Sequence, residues 1–434
     1  MRRCKSFYTS ARNKINVRTA KSDMNSFFVA LINILQIILL IIGGYYLVIA
    51  LFSFRVTAGK RISAEKHTFA LLVAAHNEEN VIAQLAESLK GLNYPSDCYD
   101  VFVIADNCTD KTAERAREAG AYVWERFDNV KRGKGFALEF AFEKLFAAEK
   151  QYEYFCVFDA DNIVESDFLM HMNNKINEGY RAVQGYLDSK NPSDSWLTFS
   201  YSLWYWINNR INQLAHGNLD LGCKLGGTGF AVSAELIRQY GWGATCLAED
   251  TEFTLKLALS DIKVGWAPDA VLYDEKPLSL NTSIHQRRRW MQGLADVGTR
   301  YVEPLIRKIV TEKDSFAFHT LMNFWSDTLY STSIIFFTAV YILSFFPAQT
   351  LGALYPICAM WMSPGSRLLL SFFVWGNIAA AVYGLYSDRK LSREIIRNGL
   401  GFMLYLFSWI PVAFMGIFGK NDGEWFHTPH SPKE

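Results

Sequence analysis

Charge disappears from the chain in three stretches. Residues 27–52, 328–366 and 398–418 hold no Asp, Glu, Lys or Arg. About 20 apolar helical residues suffice to cross a hydrocarbon core roughly 30 Å thick. Residues 27–52 therefore read as a first membrane helix, and 329–346, 368–386 and 398–418 as further spans. Pro347, Pro356 and Pro364 mark 347–366 as an external or re-entrant piece. The first segment is too long for a signal-peptide core and lacks an A-x-A cleavage site, so it reads as a retained helix. Between these stretches, residues 67–278 have ordinary mixed composition. The apolar run Phe69–Ala75 predicts a buried strand, and Asn77–Lys90 has helical spacing. Val101–Ala105 predicts a second strand, Lys111–Ala119 and 134–149 predict helices, and Tyr154–Phe158 predicts a third strand. Strands alternating with helices imply an α/β domain with a mostly parallel sheet. Ligands of such sheets bind at the carboxyl ends of the strands. Residues 284–326 mix Arg, Trp, Phe and Leu, as in amphipathic helices on a membrane surface.

Loop charges give the expected sidedness. Arg389, Lys390, Arg393 and Arg397 place the 387–397 loop in the cytoplasm. The arm 1–26 is also basic, which by the same rule opposes a cytoplasmic domain after the first helix. Three C-terminal spans would leave the tail outside, so a tail that works at the active face needs one of them to be re-entrant. The expectation is a multi-pass cell-membrane protein with a cytoplasmic domain between membrane segments. Half of the 434 residues are hydrophobic, which excludes disorder. Lys+Arg 44 against Asp+Glu 43 leaves +1, so nothing points to a nucleic-acid partner. The seven cysteines form no C-x-x-C pair, which argues against structural zinc and for free thiols.

Five motifs carry candidate chemistry. Asp159-Ala160-Asp161 ends an apolar strand, and carboxylates at i and i+2 suit one hard cation, Mg²⁺ or Mn²⁺. Without a metal the same residues make a solvated turn. Asp106 follows the second strand and can accept a hydrogen bond from a base N–H or a ribose hydroxyl; Thr109 or Asp110 caps the next helix. Lys131-Arg132-Gly133-Lys134-Gly135 offers charge and close backbone approach to a phosphate, or is a plain basic turn. Glu249 and Asp250, after Gly226-Gly227-Thr228-Gly229, supply a carboxylate for general-base work or an ordinary acidic first turn of a helix. Gln286-Arg287-Arg288-Arg289-Trp290 opens an amphipathic helix. Its arginines can clamp a diphosphate and its indole can stack on a pyranose, or both can snorkel at a membrane surface.

In this order the five motifs resemble the family-2 glycosyltransferases, most of all the membrane-embedded branch of cellulose, chitin, hyaluronan and poly-N-acetylglucosamine synthases. The resemblance covers roughly residues 68–300. Ala75-His76-Asn77-Glu78-Glu79 matches the family's opening, with His76 where Tyr is frequent. Ala248 stands where the base motif usually has Thr. The resemblance implies a GT-A domain, Rossmann-like, combined with transmembrane and interfacial helices. It implies a metal-dependent, inverting hexosyltransferase that uses a nucleotide-diphospho-sugar, with UDP-glucose or UDP-N-acetylglucosamine expected. Asp250 would be the catalytic base, and Asp159 and Asp161 would hold Mg²⁺ or Mn²⁺. His76, Glu78, Asp106, Lys134 and Arg289 would bind the donor. Gly227, Thr228, Glu249, Gln286 and Trp290 would face the acceptor. The product would be a β-linked polysaccharide exported through the protein's own helices, with membrane lipids as surroundings and a second copy or an accessory subunit completing the path. The alternative is a single addition to a membrane lipid. The tail Trp425-Phe426-His427-Thr428 faintly resembles those synthases' gating loop, and a Trp there equally suits a membrane-interface anchor.

Overall fold

The computed structural model describes residues 2–54, 64–243 and 246–419, with side chains from residue 26 onward. Cys4, the side chains of the basic arm, and the Trp425–Thr428 segment lie outside the described residues. The chain divides into two compact units: Met1–Val48 with Trp325–Ala381, and Ile49–Phe324 with Val382–Glu434.

The first unit is helical. It draws on α1 (Arg2–Leu51), and on parts of two further long helices at Ser315–Leu343 and Pro364–Ser387. Its core joins Phe337, Val340, Trp361, Leu370, Phe373 and Val374 with Leu39, Leu40 and Leu47. Gly43 lets the backbones meet, since a Cβ there would collide with Ser333 and Phe373. The Trp361 indole donates to Gln36 Oε1, and the Tyr330 hydroxyl to Asn377.

The second unit holds an eight-stranded sheet, taken here in chain order. β1 (Phe69–Ala75) leads through α2 (Ile82–Lys90) to β2 (Tyr99–Asp106), then through α3 (Thr112–Glu118) to β3 (Tyr122–Arg126). After α4 (Lys134–Ala147) come β4 (Tyr154–Asp159), the two-residue β5 (Ile163–Val164), α5 (Phe168–Ile176) and β6 (Ala182–Ser189). Helices α6 (Trp196–Asn208), which continues as a π-helical turn over Asn209–Leu214, and α7 (Ala215–Asn218) precede β7 (Phe230–Ser233). The unit continues with α8 (Ala234–Tyr240), α9 (Glu249–Leu259), β8 (Val264–Asp274) and α10 (Leu280–Glu312). The remaining helices are α11 (Ser315–Leu343), the short α12 (Ala348–Leu351) and α13 (Tyr355–Cys358), α14 (Pro364–Ser387) and α15 (Glu394–Phe418).

The strand order is β3-β2-β1-β4-β7-β6-β8-β5. β1 to β4 run parallel, β7 runs against both β4 and β6, and β6 runs parallel with β8. The sheet is thus mostly parallel, as expected, and Rossmann-like. Its order reverses between β1 and β4, and in open α/β sheets that crevice is where ligands bind. Both faces of β1 are buried: Phe69, Leu71 and Val73 in one core, Ala70 and Leu72 in the other. That explains why a parallel central strand reads as a continuous apolar run rather than an alternating one.

Some boundaries differ from expectation. The helix expected from Asn77 starts at Ile82, because Asn77 itself adopts a left-handed φ of 56°. The helix expected to open at Gln286 begins two turns earlier at Leu280, where the Ser279 hydroxyl caps the N–H of Thr282 at 3.1 Å. The described cysteines are free thiols. Four helices are long and apolar enough to cross a membrane: Ser26–Phe54, Ser315–Leu343, Pro364–Ser387 and Glu394–Phe418.

Candidate active site

Loops at the carboxyl ends of β1, β2 and β3 are locked to one another. The Asn77 carboxamide accepts the N–H of Thr109 at 2.8 Å, Glu78 N donates to Thr112 Oγ1 at 2.7 Å, and Glu79 N donates to Asp110 Oδ2 at 3.1 Å. Asp110 also accepts the N–H of Thr112 at 3.0 Å, but the residue at the N-cap is Lys111, not Thr109 or Asp110 as expected, and it makes no side-chain capping bond. His76 Nδ1 donates to the carbonyl of Asp106 at 2.6 Å. Asp106 is buried, and its Oδ1 accepts from Arg126 Nη1 at 2.6 Å. Burial pushes the Asp106 carboxyl up from its ordinary value, against the pull of Arg126. Arg126 also donates to the carbonyl of Lys131 at 2.7 Å, so it ties the basic turn to the end of β2. His76, Glu78 and Asp106 are therefore neighbours on one rim.

The second half of the site gathers around Lys134, the first residue of α4. Gly133 precedes it at φ 111°, a conformation that favours glycine. The Lys134 ammonium is paired with Asp159, donates to the carbonyl of Gly227 at 2.6 Å, and lies 3.9 Å from Glu249. A Cβ on Gly227 would stand 3.5 Å from Asp250 Oδ2. Lys134, Asp159, Gly227, Glu249 and Asp250 thus converge from four separate elements on the β4 side of the crevice. Glu249 and Asp250 occupy the first turn of α9. Burial raises the Glu249 carboxyl to about 7; Lys134 pulls it down, while Asp250 and Asp159 push it up. Burial also raises Asp250, whose Oδ1 accepts the N–H of Thr251 at 2.7 Å. Burial pulls the Lys134 ammonium down, yet Asp159, Glu249 and Asp250 outweigh it and leave the lysine above its ordinary value.

Asp161 is buried one turn from Asp159 and accepts from Asn162 Nδ2 at 3.2 Å. Asn162 Oδ1 in turn accepts the N–H of Asp159 at 3.1 Å and the Thr228 hydroxyl. Thr228, expected at the acceptor, is 3% exposed and its hydroxyl also takes the Asp159 N–H at 3.0 Å. Its hydroxyl is thus engaged by the Asp159–Asp161 turn.

Gln286, Arg289 and Trp290 sit on α10. Gly293 presses that helix onto the strand of chain before α9, where a Cβ would come within 2.7 Å of Ala248. Arg289 and Gln286 lie four and seven residues before Gly293, on the same helix face. This face is turned toward the segment that carries Glu249 and Asp250. Gln286 Oε1 and the Nε atoms of Arg288 and Arg289 are buried without a hydrogen-bond partner. Buried polar groups are normally bonded, so these atoms are candidate ligand contacts. Trp290 instead stacks on Trp409, with ring centres 6.3 Å apart and planes 22° apart, inside a cluster with Tyr201, Trp204, Tyr205 and Tyr405.

Three residues with work at this site escaped the sequence reading. Arg126 ends an edge strand too short to stand out, Asn162 follows the acidic motif, and Gly293 looks like any helical glycine. A buried Arg beside an Asp after a strand has no sequence signal of its own.

The chain belongs to the glycosyltransferase-like family 2, whose sequence profile matches residues 67–293. It is 23% identical over 378 residues to the probable glycosyltransferase YdaM of Bacillus subtilis, covering 82% of this chain and 86% of that protein. It is 32% identical over 249 residues to a β-monoglucosyldiacylglycerol synthase of Nostoc sp., covering 54% of this chain and 50% of that one. It is 27% identical over 244 residues to a poly-β-1,6-N-acetyl-D-glucosamine synthase of Staphylococcus epidermidis, covering 54% and 57%. The matched region thus spans about half the length of the last two. Among solved structures, the mannosyltransferase PcManGT from Pyrobaculum calidifontis, in complex with GDP-Man and Mn²⁺, superposes with a TM-score of 0.52 at 19% identity, over 83% of this chain and 98% of that one. This last likeness bears on the fold, which is GT-A.

Proposed function

We propose that the chain transfers a hexosyl group, with inversion, from a nucleotide-diphospho-sugar to a hydroxyl of a growing β-linked saccharide. The observation that carries this is the convergence of Lys134, Asp159, Glu249 and Asp250 at the switch point, opposite unpartnered arginine and glutamine atoms on α10. Asp250 takes the proton from the acceptor hydroxyl. The freed oxygen attacks the anomeric carbon, the bond from that carbon to the diphosphate oxygen breaks, and the nucleoside diphosphate leaves. Lys134 and Arg289 face the charge that develops on the leaving group. Asp159 and Asp161 offer hard carboxylate oxygens, which suit Mg²⁺ or Mn²⁺ shared with substrate phosphates. Such an ion, held by these two residues, would supply further charge neutralisation. His76, Glu78 and Asp106 form the rim for the nucleoside, with UDP as its expected diphosphate form.

The aromatic cluster around Trp290 and Trp409 favours a saccharide acceptor, because indole faces stack on pyranose rings. A second reading is single addition to a membrane lipid, favoured by the 32% identity to a glucosyldiacylglycerol synthase. Product size separates them. The protein in nanodiscs receives Mn²⁺ or Mg²⁺ and labelled UDP-glucose, UDP-N-acetylglucosamine, UDP-galactose or GDP-mannose. High-molecular-weight product degraded by a matching glycosidase is the expected result. A small, organic-extractable product that needs added lipid would replace it with the second reading.

A further inference from the structure

We propose that Gln184 is a positioning residue of the transfer reaction: its buried carboxamide fixes the 225–229 loop, which holds Lys134, Asp159 and Asp250 in place relative to one another. Gln184 lies inside the apolar run of β6 and is fully buried. A polar side chain in such a place is normally bonded at both ends. Its Oε1 accepts the N–H of Gly226 at 2.8 Å. Its Nε2 faces three carbonyls, those of Thr228 at 2.9 Å, Gly185 at 3.0 Å and Gly229 at 3.2 Å. One N–H beside the oxygen and three carbonyls around the nitrogen fix which way the amide points. The side chain fills the place where β6 parts from β7. Their pairing stops at Gln184 and Phe230, and the register of β6 on β8 slips between Gly185 and Tyr186. Bulges of this kind bend a strand and re-aim side chains, and they are frequent next to active sites.

The loop reaches each of the three charged residues through a different atom. The carbonyl of Gly227 accepts from the Lys134 ammonium at 2.6 Å. The Thr228 hydroxyl accepts the N–H of Asp159 at 3.0 Å. Leu225 N donates to Thr254 Oγ1 at 3.1 Å, and that hydroxyl donates to the carbonyl of Asp250 at 2.8 Å. The bonds of the Gln184 carboxamide go to backbone, so it acts through the chain it holds. Three of the four residues from 226 to 229 are glycines. Gly227 and Gly229 adopt φ of 83° and 62°, and a Cβ on Gly226 would come within 2.8 Å of Leu187. A segment so poor in side chains has much conformational freedom to lose, and it owes its order to whatever binds its backbone. A misplacement of about 1 Å among reacting groups can cost about 10²-fold in rate. A carboxamide with no contact to substrate can therefore govern turnover. The nucleoside rim of His76, Glu78 and Asp106 is held by separate bonds to the ends of β2 and β3 and to α3.

This inference rests on the proposed transfer with Asp250 as its base, so Asp250→Asn is assayed beside it. Gln184→Met keeps the volume and removes every bond of the carboxamide. Gln184→Glu keeps the acceptor for Gly226 and sets an oxygen where the nitrogen faced three carbonyls. The full-length proteins in nanodiscs are compared well below their melting midpoints, with turnover of labelled donor and calorimetric binding of UDP as the two readouts. Both Gln184 variants should lose about 10²-fold in turnover. Their affinity for UDP should change by no more than about threefold, a split that lost stability alone does not produce. If the methionine variant does not fold, the glutamate variant, which has the native shape, decides the matter. Turnover within about threefold of wild type in a folded variant would overturn the proposal. So would a loss of UDP affinity as large as the loss of turnover, which would make Gln184 a support of the whole donor site. An inactive Asp250→Asn beside an active Gln184→Met removes this inference alone; an active Asp250→Asn removes the reading it rests on.

Discussion

Two cations in the catalytic unit, the half-buried Lys134 and the fully buried Arg287, are held in opposite ways. Lys134 is ringed by acid: Asp159 is paired with it, Glu249 lies 3.9 Å away, and Asp250 stands beside the same glycine. Arg287 is fully buried and has no ion pair among the described residues. Its guanidinium lies 5.0 Å from the Tyr405 ring and 5.1 Å from Trp409, donates to Ser408 and to the carbonyl of Ser283, and leaves Nη2 without a partner. On the proposed function, the first arrangement neutralises charge at a place where charge changes during reaction. The second uses a long side chain as a bolt between α10 and α15, with aromatic faces substituting for counter-ions.

The largest expected effect lies in the acidic cluster. Asp250→Asn should cost about 10²–10⁴ in turnover while UDP binding measured by calorimetry is unchanged. Near-normal turnover would move the base elsewhere. Lys134→Met should cost about 10²–10³ in turnover, the scale for removing one stabiliser of developing charge.

Arg287 should behave the other way. Arg287→Ala opens a cavity between α10 and α15 and should lower stability by about 2–5 kcal/mol. Arg287→Met fills the space, removes an unsatisfied nitrogen and should recover most of that loss, since a buried charge is often replaced by an apolar residue at no cost. Thermal melts in detergent compare the pair. A methionine variant as unstable as the alanine one would show that the charge, not the volume, holds α15.

The same contrast explains what the sequence disclosed. Central parallel strands are buried on both faces, so β1, β2 and β4 appear as apolar runs, and the acidic motifs at their ends mark the site. Edge strand β3, with Tyr122 exposed, has no such signature, and Arg126 was lost with it. Asp106 was legible, but not the arginine beside it, because ion pairs across 20 residues leave no local pattern. Thr228 was placed at the acceptor by the family resemblance; only the fold shows its hydroxyl turned toward Asn162. Hydropathy likewise does not separate the exposed apolar residues of α15 from those, such as Tyr405, that pack against α6, since both read alike in composition.

The smallest expected effect is a shift along the pH axis. Burial, with Asp250 and Asp159 adding to it and Lys134 opposing, holds Glu249 at about 7, against about 4.3 for an unperturbed glutamate. Between those values the folded chain binds a proton that the unfolded chain releases, so this group's contribution to stability falls as pH rises through that window. For turnover the sign follows from charge: Asp250 must be a carboxylate, and a second carboxylate beside it resists that. The rate should therefore fall as pH drops through a limb set by the pair, well above the ordinary carboxylate range. Glu249→Gln removes one of the two charges, so the limb should move to lower pH while the plateau loses less than in Asp250→Asn. Turnover from pH 5 to 9 in both proteins decides it: an unmoved limb would uncouple Glu249 from the base and leave it as an ordinary first-turn residue of α9.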